Sequence, residues 1–91
     1  MTITIRVPSV LSDTCGGASL LSLSAATVRA AIEELERSHP SLHRSICDET
    51  GALRRHINLF VNEAHMRQRD GLDTALQPGD VITILPAVSG G

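Results

Sequence analysis

Lysine is missing from this chain of 91 residues, and all eight permanently cationic side chains are arginine. That absence excludes Schiff-base chemistry, a P-loop lysine and any internal side-chain amine open to acylation. Tryptophan and tyrosine are missing too. Phe60 is the sole aromatic residue, so there is no platform on which nucleic-acid bases could stack. A net charge of −2 leaves no basic footprint for nucleic acid as the main partner. Neither a signal segment nor an apolar run of membrane-spanning length is present, so no membrane partner is expected. The chain reads as cytoplasmic, with its thiols reduced. Its two cysteines, Cys15 and Cys47, stand 32 positions apart in no recognised metal spacing. An iron–sulfur site would need more ligands than these. His39 and His43 are spaced i, i+4, but Pro40 breaks the helix that would align them, and no bound metal is expected.

What is present suits one small globular domain. Hydrophobic residues make up 42% of the chain and charged ones 20%. A chain of this size buries about 60–65% of the surface its unfolded form exposes, enough for a thin core without staples.

The pattern along the chain changes period several times. Residues 2–8, "TITIRVP", alternate, with Ile3, Ile5 and Val7 on one face and Thr2, Thr4 and Arg6 on the other. Turn chemistry follows in "SVLSDTCGGAS", where Gly16 and Gly17 can take positive φ. Residues 19–24, "SLLSLS", set Leu21 and Leu23 on one face with Leu20 near the turn, and the two segments read as an antiparallel hairpin. Thr27 then stands as N-cap to "VRAAIEELERS", in which Val28, Ala31, Ile32 and Leu35 form a helical stripe. Pro40 disfavours helical geometry at His39, so this helix should end near Ser38. Residues 41–55 stay ambiguous: Leu42 and Ile46 could cover a core edge from a short helical turn.

A second alternation begins at "HINLFVN", with Ile57, Leu59 and Val61 facing inward and Asn58 and Phe60 outward. A short strand is expected around Met66–Arg67, and a turn at Pro78 and Gly79. The last strand, Val81 to Leu85, places Ile82 and Ile84 inside and Thr83 and Leu85 outside. The expected order is β-β-α-β-β-β, an α+β fold with one main helix on one face of a mixed four- to five-stranded sheet. The other face is left to solvent. If the 56–62 and 81–85 strands are neighbours, Phe60 and Leu85 make an apolar patch there, and such patches suggest a partner.

This order, together with "NLFVN", "GLDTALQPGDVITILPAV" and the final "SGG", resembles the ubiquitin-like β-grasp sulfur carriers of the ThiS/MoaD family. The resemblance covers essentially the whole chain. Its specific parts are the "GD" before the last strand and the diglycine a few residues beyond it. The length and the second half are most similar to the carrier of actinobacterial cysteine biosynthesis. Small subunits of molybdopterin synthase typically have a Pro-Pro pair where this chain has Pro86-Ala87.

The resemblance implies a β-grasp body over residues 1–85 and a flexible tail over 86–91. It implies that the chain is a protein co-substrate and no enzyme, with Gly91 as the working residue and Gly90 beside it. An activating enzyme of the ubiquitin-activating type would adenylate the Gly91 carboxylate with ATP and magnesium. Sulfur would then replace AMP to leave a thiocarboxylate. The acceptor would be a cysteine synthase-like enzyme carrying an aminoacrylate on pyridoxal phosphate, or the large subunit of molybdopterin synthase. No cofactor would be bound by the chain itself, which would be a monomer when free. Phe60, Leu85, Pro86, Ala87 and Val88 would form the docking surface. The extended tail would reach roughly 20 Å, at ~3.3 Å per residue, and glycines without Cβ suit a narrow channel. Three other roles stay open on the same residues: a synthase subunit, a ubiquitin-like modifier joined to target lysines, and a binding module whose tail is idle.

Overall fold

A computed structural model describes residues 2–65 and 70–86. The elements are β1 (Thr2–Arg6), β2 (Leu20–Ser24), α1 (Val28–Ser38), α2 (Pro40–Ile46), β3 (Ile57–Val61), β4 (Ala64–His65) and β5 (Val81–Pro86). Among the described residues two 3-10 turns, Ser9–Cys15 and Gly71–Asp73, lie in the connections. The five strands form one mixed sheet in the order β2-β1-β5-β3-β4.

The alternation read from the sequence is the alternation the sheet uses. On one face Ile3, Ile5, Leu21, Leu23, Ile57, Leu59, Val61, Ile82 and Ile84 are buried. Thr2, Arg6, Leu20, Ser22, Ser24 and Leu85 fall on the other face and are exposed. β1 and β2 pair antiparallel, with Ile5 opposite Leu21 and Ile3 opposite Leu23, as the hairpin reading requires. Between them the chain makes a 3-10 turn over Ser9–Cys15 before Gly16 (φ 69°) reverses it. That helical turn was not expected, because "SVLSDTC" contains no amphipathic period.

α1 begins and ends where capping chemistry places it. The Ala30 N–H donates to Thr27 Oγ1 at 3.1 Å. The Val28 N–H, which has no partner within the helix, donates to the Thr74 carbonyl at 3.1 Å. Val28, Ala31, Ile32 and Leu35 are buried against the sheet side of the molecule.

One correction concerns residues 41–55. A second helix, α2, occupies Pro40–Ile46, with the proline in its first turn, where a missing N–H costs nothing. Leu42 and Ile46 are fully buried rather than covering an edge. A second, shorter helix therefore accompanies the main helix on the covered face. Seven residues are too few to show a period unambiguously, so burial decided this element. A short fourth strand pairs Ala64 and His65 with Val61 and Phe60. The expected strand at Met66–Arg67 lies outside the described residues.

β5 is the central strand, parallel to β1 and antiparallel to β3. Its start is held by a cluster that explains the "GD" motif. Gly79 takes φ 88° and donates its N–H to the Thr2 carbonyl at 2.9 Å. Asp80 accepts from the Gln77 N–H at 2.9 Å and from Asn62 Nδ2 at 3.2 Å. Asn62, itself at φ 56°, accepts the Val81 N–H at 3.1 Å. One carboxylate thus ties the turn before β5 to the end of β3.

Replacing Asp80 by alanine removes at least two exposed hydrogen bonds whose donors water can reach, a loss of about 0.5–1.5 kcal/mol. Urea unfolding of Asp80→Ala should show a loss of that size with an unchanged m-value.

Candidate functional site

The feature that organises the site is the way β5 delivers the chain to one end of the sheet. Leu85 pairs with Asn58, and Pro86 pairs with Ile57, the first residue of β3. Pro86, which the sequence reading assigned to the tail, is the last residue of the strand. Ala87, Val88, Gly90 and Gly91 lie outside the described residues.

The strands carrying Phe60 and Leu85 are neighbours, so the condition for a shared patch is met. The two side chains are not directly opposed. Phe60 faces Thr83 across the ladder and Leu85 faces Asn58, which makes Phe60 and Leu85 diagonal neighbours at about 7–8 Å between Cα atoms. Phe60 is half-buried, Leu85 is 45% exposed, and Pro86 is half-buried.

Register extends this row in a direction the sequence reading did not follow. Phe60 pairs with Thr83, Thr83 with Arg6 and Arg6 with Leu20. Leu20 is 59% exposed, more open than Leu85 on the same face. The available signal was phase: Leu20 alternates with Ser22 and Ser24, the outward residues of its strand. The pairing of β1 with β5, which brings Leu20 toward Phe60, was not legible.

The cysteines belong elsewhere. Cys15 is half-buried in the 3-10 turn, its thiol directed to the Ser12 and Ala18 carbonyls at 3.5 and 3.4 Å. Cys47 is 1% exposed. Burial, with smaller contributions from Asp48 and Glu36, pushes its thiol up to about 11. Asp48 is held below the usual carboxylate range, first by the Thr50 hydroxyl and then by the Thr50 N–H. Its Oδ1 accepts these at 2.6 and 2.8 Å, closing the turn between α2 and β3. Among the described residues no group of three or more His, Cys, Asp or Glu could hold a metal ion, and no helix is long and apolar enough to cross a membrane.

A five-stranded mixed sheet ordered β2-β1-β5-β3-β4 around a principal helix defines the ubiquitin-like β-grasp class. Over residues 5–91 the sequence matches the ThiS family, and the chain belongs to that family. The sulfur carrier protein CysO of Mycobacterium tuberculosis is 38% identical over 93 residues, with 100% of both chains covered. The crystal structure of the Amycolatopsis orientalis BexX/CysO complex contains a chain that matches with a TM-score of 0.87 at 35% identity. That match covers 98% of this chain and 99% of the other. Small archaeal modifier protein 1 of Methanosarcina acetivorans reaches the same TM-score of 0.87 at 29% identity, over 99% of this chain and 96% of its own.

Because the neutral thiol of Cys47 is the form stabilised by folding, its contribution is fully present below the unfolded thiol pKa of ~8.5. That contribution fades as pH rises toward the folded value of about 11. Folded protein at pH 8 should therefore leave Cys47 unalkylated by iodoacetamide. Cys47→Ala should flatten the alkaline limb of the stability profile between those two values.

Proposed function

We propose that this chain is a sulfur carrier, a protein co-substrate whose Gly91 carboxylate is converted to a thiocarboxylate that donates sulfur, in the synthesis of cysteine. The observation that carries the reading is end-to-end similarity to a protein named as a sulfur carrier, with coverage of 100% on both sides. In the sequence Gly90 and Gly91 follow Pro86, the last residue of the final strand, by four and five positions. The chain itself contributes position rather than reactivity.

The chemistry follows from the state of that carboxylate. With a pKa of ~3.3–3.7 it is ionised at neutral pH and resists nucleophilic attack. Activation requires a leaving group. A carboxylate oxygen bonds to the α-phosphorus of ATP, the α–β phosphoanhydride bond breaks, and pyrophosphate departs. A hydrosulfide-class donor then attacks the carbonyl carbon, the bond to AMP breaks, and a thiocarboxylate remains. Magnesium and ATP are substrates of the activating enzyme. The acceptor enzyme supplies pyridoxal phosphate, whose chemistry presents an electrophilic alkene to the sulfur. Acids and bases come from these partners, because the outer-face residues named above offer none suited to the task.

Docking would use Phe60, Leu85 and Pro86, continued by Ala87 and Val88. Apolar burial worth about 25 cal/mol per Å² would hold the body while the tail enters the partner. The complex that contains a similar chain with BexX supports a protein partner. Likeness to a small archaeal modifier supports a second reading, in which the same adenylate is transferred to a lysine on another protein. This chain could not extend itself that way, since it has no lysine.

Intact mass of the protein taken from its own cells tests the reading. One terminal oxygen replaced by sulfur is expected, and deletion of Gly91 should abolish the change. Carboxylate alone, even after incubation with the activating enzyme and ATP, would sink the proposal. For the docking surface, Phe60→Ala should raise the KM for the carrier in ATP–pyrophosphate exchange by about tenfold, the equivalent of ~1.4 kcal/mol. Its thermal unfolding should stay cooperative, and unchanged exchange kinetics would remove Phe60 from the surface.

A further inference from the structure

Five of the six described arginines divide into two groups; the sixth, Arg6, is exposed on the outer face of β1 with no described ion pair. Arg29 and Arg37 are matched to acids: Arg29 to Asp73 at 3.1 Å, and Arg37 to Glu34 at 3.8 Å. Both lie on α1, the helix that also carries Glu33 and Glu36. Arg44, Arg54 and Arg55 have no such partner among the described ion pairs, and all three are exposed.

These three belong to one place. Arg54 donates from Nε and Nη2 to the Arg44 carbonyl, both at 3.2 Å, which lays its guanidinium over the last turn of α2. The Arg54 N–H donates to the Ile46 carbonyl at 2.9 Å, and the Ile57 N–H closes a turn on the Arg54 carbonyl at 3.0 Å. Arg55 and His56 are the middle of that turn, both exposed. The next residue, Ile57, is the ladder partner of Pro86, where the described part of β5 ends. Adjacent strands stand about 4.8 Å apart, so the arginine turn borders the point from which the chain leaves the sheet.

The surrounding acids offset this turn only in part: Asp48 feels the charge of Arg54, while its Oδ1 is held by Thr50 and by the Ala52 N–H rather than by a guanidinium. Glu33, Glu36 and Glu49 instead line a cleft of about 310 Å³ on the helical side, with His43 and Thr50. A chain with a net charge of −2 thus carries a local positive arc beside Pro86, while Glu33, Glu34 and Glu36 lie on α1 and Glu49 lines the adjoining cleft with Arg29.

We propose that Arg54, Arg55 and His56, with Arg44 behind them, form an electrostatic guide that docks on an acidic protein surface around the entrance of a tail-accepting site. This rests on the sulfur-carrier reading and specifies the partner's charge. Opposite charge at the tail root and like charge on the helical side together orient the body, so that encounter delivers the C-terminal end first. Nucleic acid fits poorly: the arc is short, the net charge is negative, and the described arc contains no aromatic residue.

The test uses the full chain and the activating enzyme purified from its own cells by following Gly91-dependent ATP–pyrophosphate exchange. Arg55→Glu is the primary variant, because Arg55 has no described side-chain bond to lose, whereas Arg54 also holds α2. Arg37→Glu makes the same charge change on α1. At low ionic strength Arg55→Glu should raise the KM for the carrier about tenfold with kcat unchanged, and added salt should shrink that difference. Arg37→Glu should shift KM less than twofold. Equal shifts in the two variants would mean that only net charge matters, and no shift in Arg55→Glu would mean that the arc does not dock; either overturns the guide while leaving the sulfur-carrier reading intact. If the wild-type chain supports no Gly91-dependent exchange, both fall together.

Discussion

The structure depends on β5 lying in the middle of the sheet. A strand between β1 and β3 has both backbone edges paired, so its position cannot slide without breaking two ladders. Asp80 and Asn62 fix where it starts, and the ladder to Ile57 fixes where its described part ends. Core burial of Ile82 and Ile84 then makes any one-residue slip prohibitive, because it would turn both side chains to solvent. Pro86, the last residue of the strand, is thereby held in place at the end of the sheet.

That fixed geometry would suit the proposed sulfur-carrier role, in which the chemistry takes place in a partner. The helices serve the sheet by covering its inner face, where Leu35, Leu42 and Ile46 are buried with the strand residues. The outer face is left with threonines, serines and a few apolar side chains, polar enough to stay in water and apolar enough to be covered. Cys47 is consistent with this division: burial raises its thiol and removes it from nucleophilic chemistry. In this reading the body is a handle, and specificity comes from how the handle is held.

Several residues announced their roles in the sequence. Ile57, Leu59 and Val61 alternated and were buried; Thr27 preceded a helical stripe and caps α1. The "GD" before β5 was legible as a motif, but its physical content was not. That Asp80 reaches Gln77 and Asn62 at once depends on the end of β3 folding back beside β5. α2 was obscured for a different reason, since its two buried residues sit in a segment too short to establish a period. At the candidate site Phe60 and Leu85 were placed on the right face, whereas Leu20, Arg6 and the Arg54–His56 turn gained their neighbours only through strand pairing.

The sequence alone determined much of the local conformation, though not α2 or the Ser9–Cys15 turn: alternation selected strands, a capped stripe selected α1, and glycines marked turns. It also determined the chemical identity of the last residues, Gly90 and Gly91. Tertiary structure decided which strands are adjacent, and with that the makeup of the outer face and the charge beside Pro86. The reason is range. Side-chain periodicity and capping act over a few residues, while the pairing of β5 with β1 and β3 joins segments far apart in the chain, and only burial of one common core selects it.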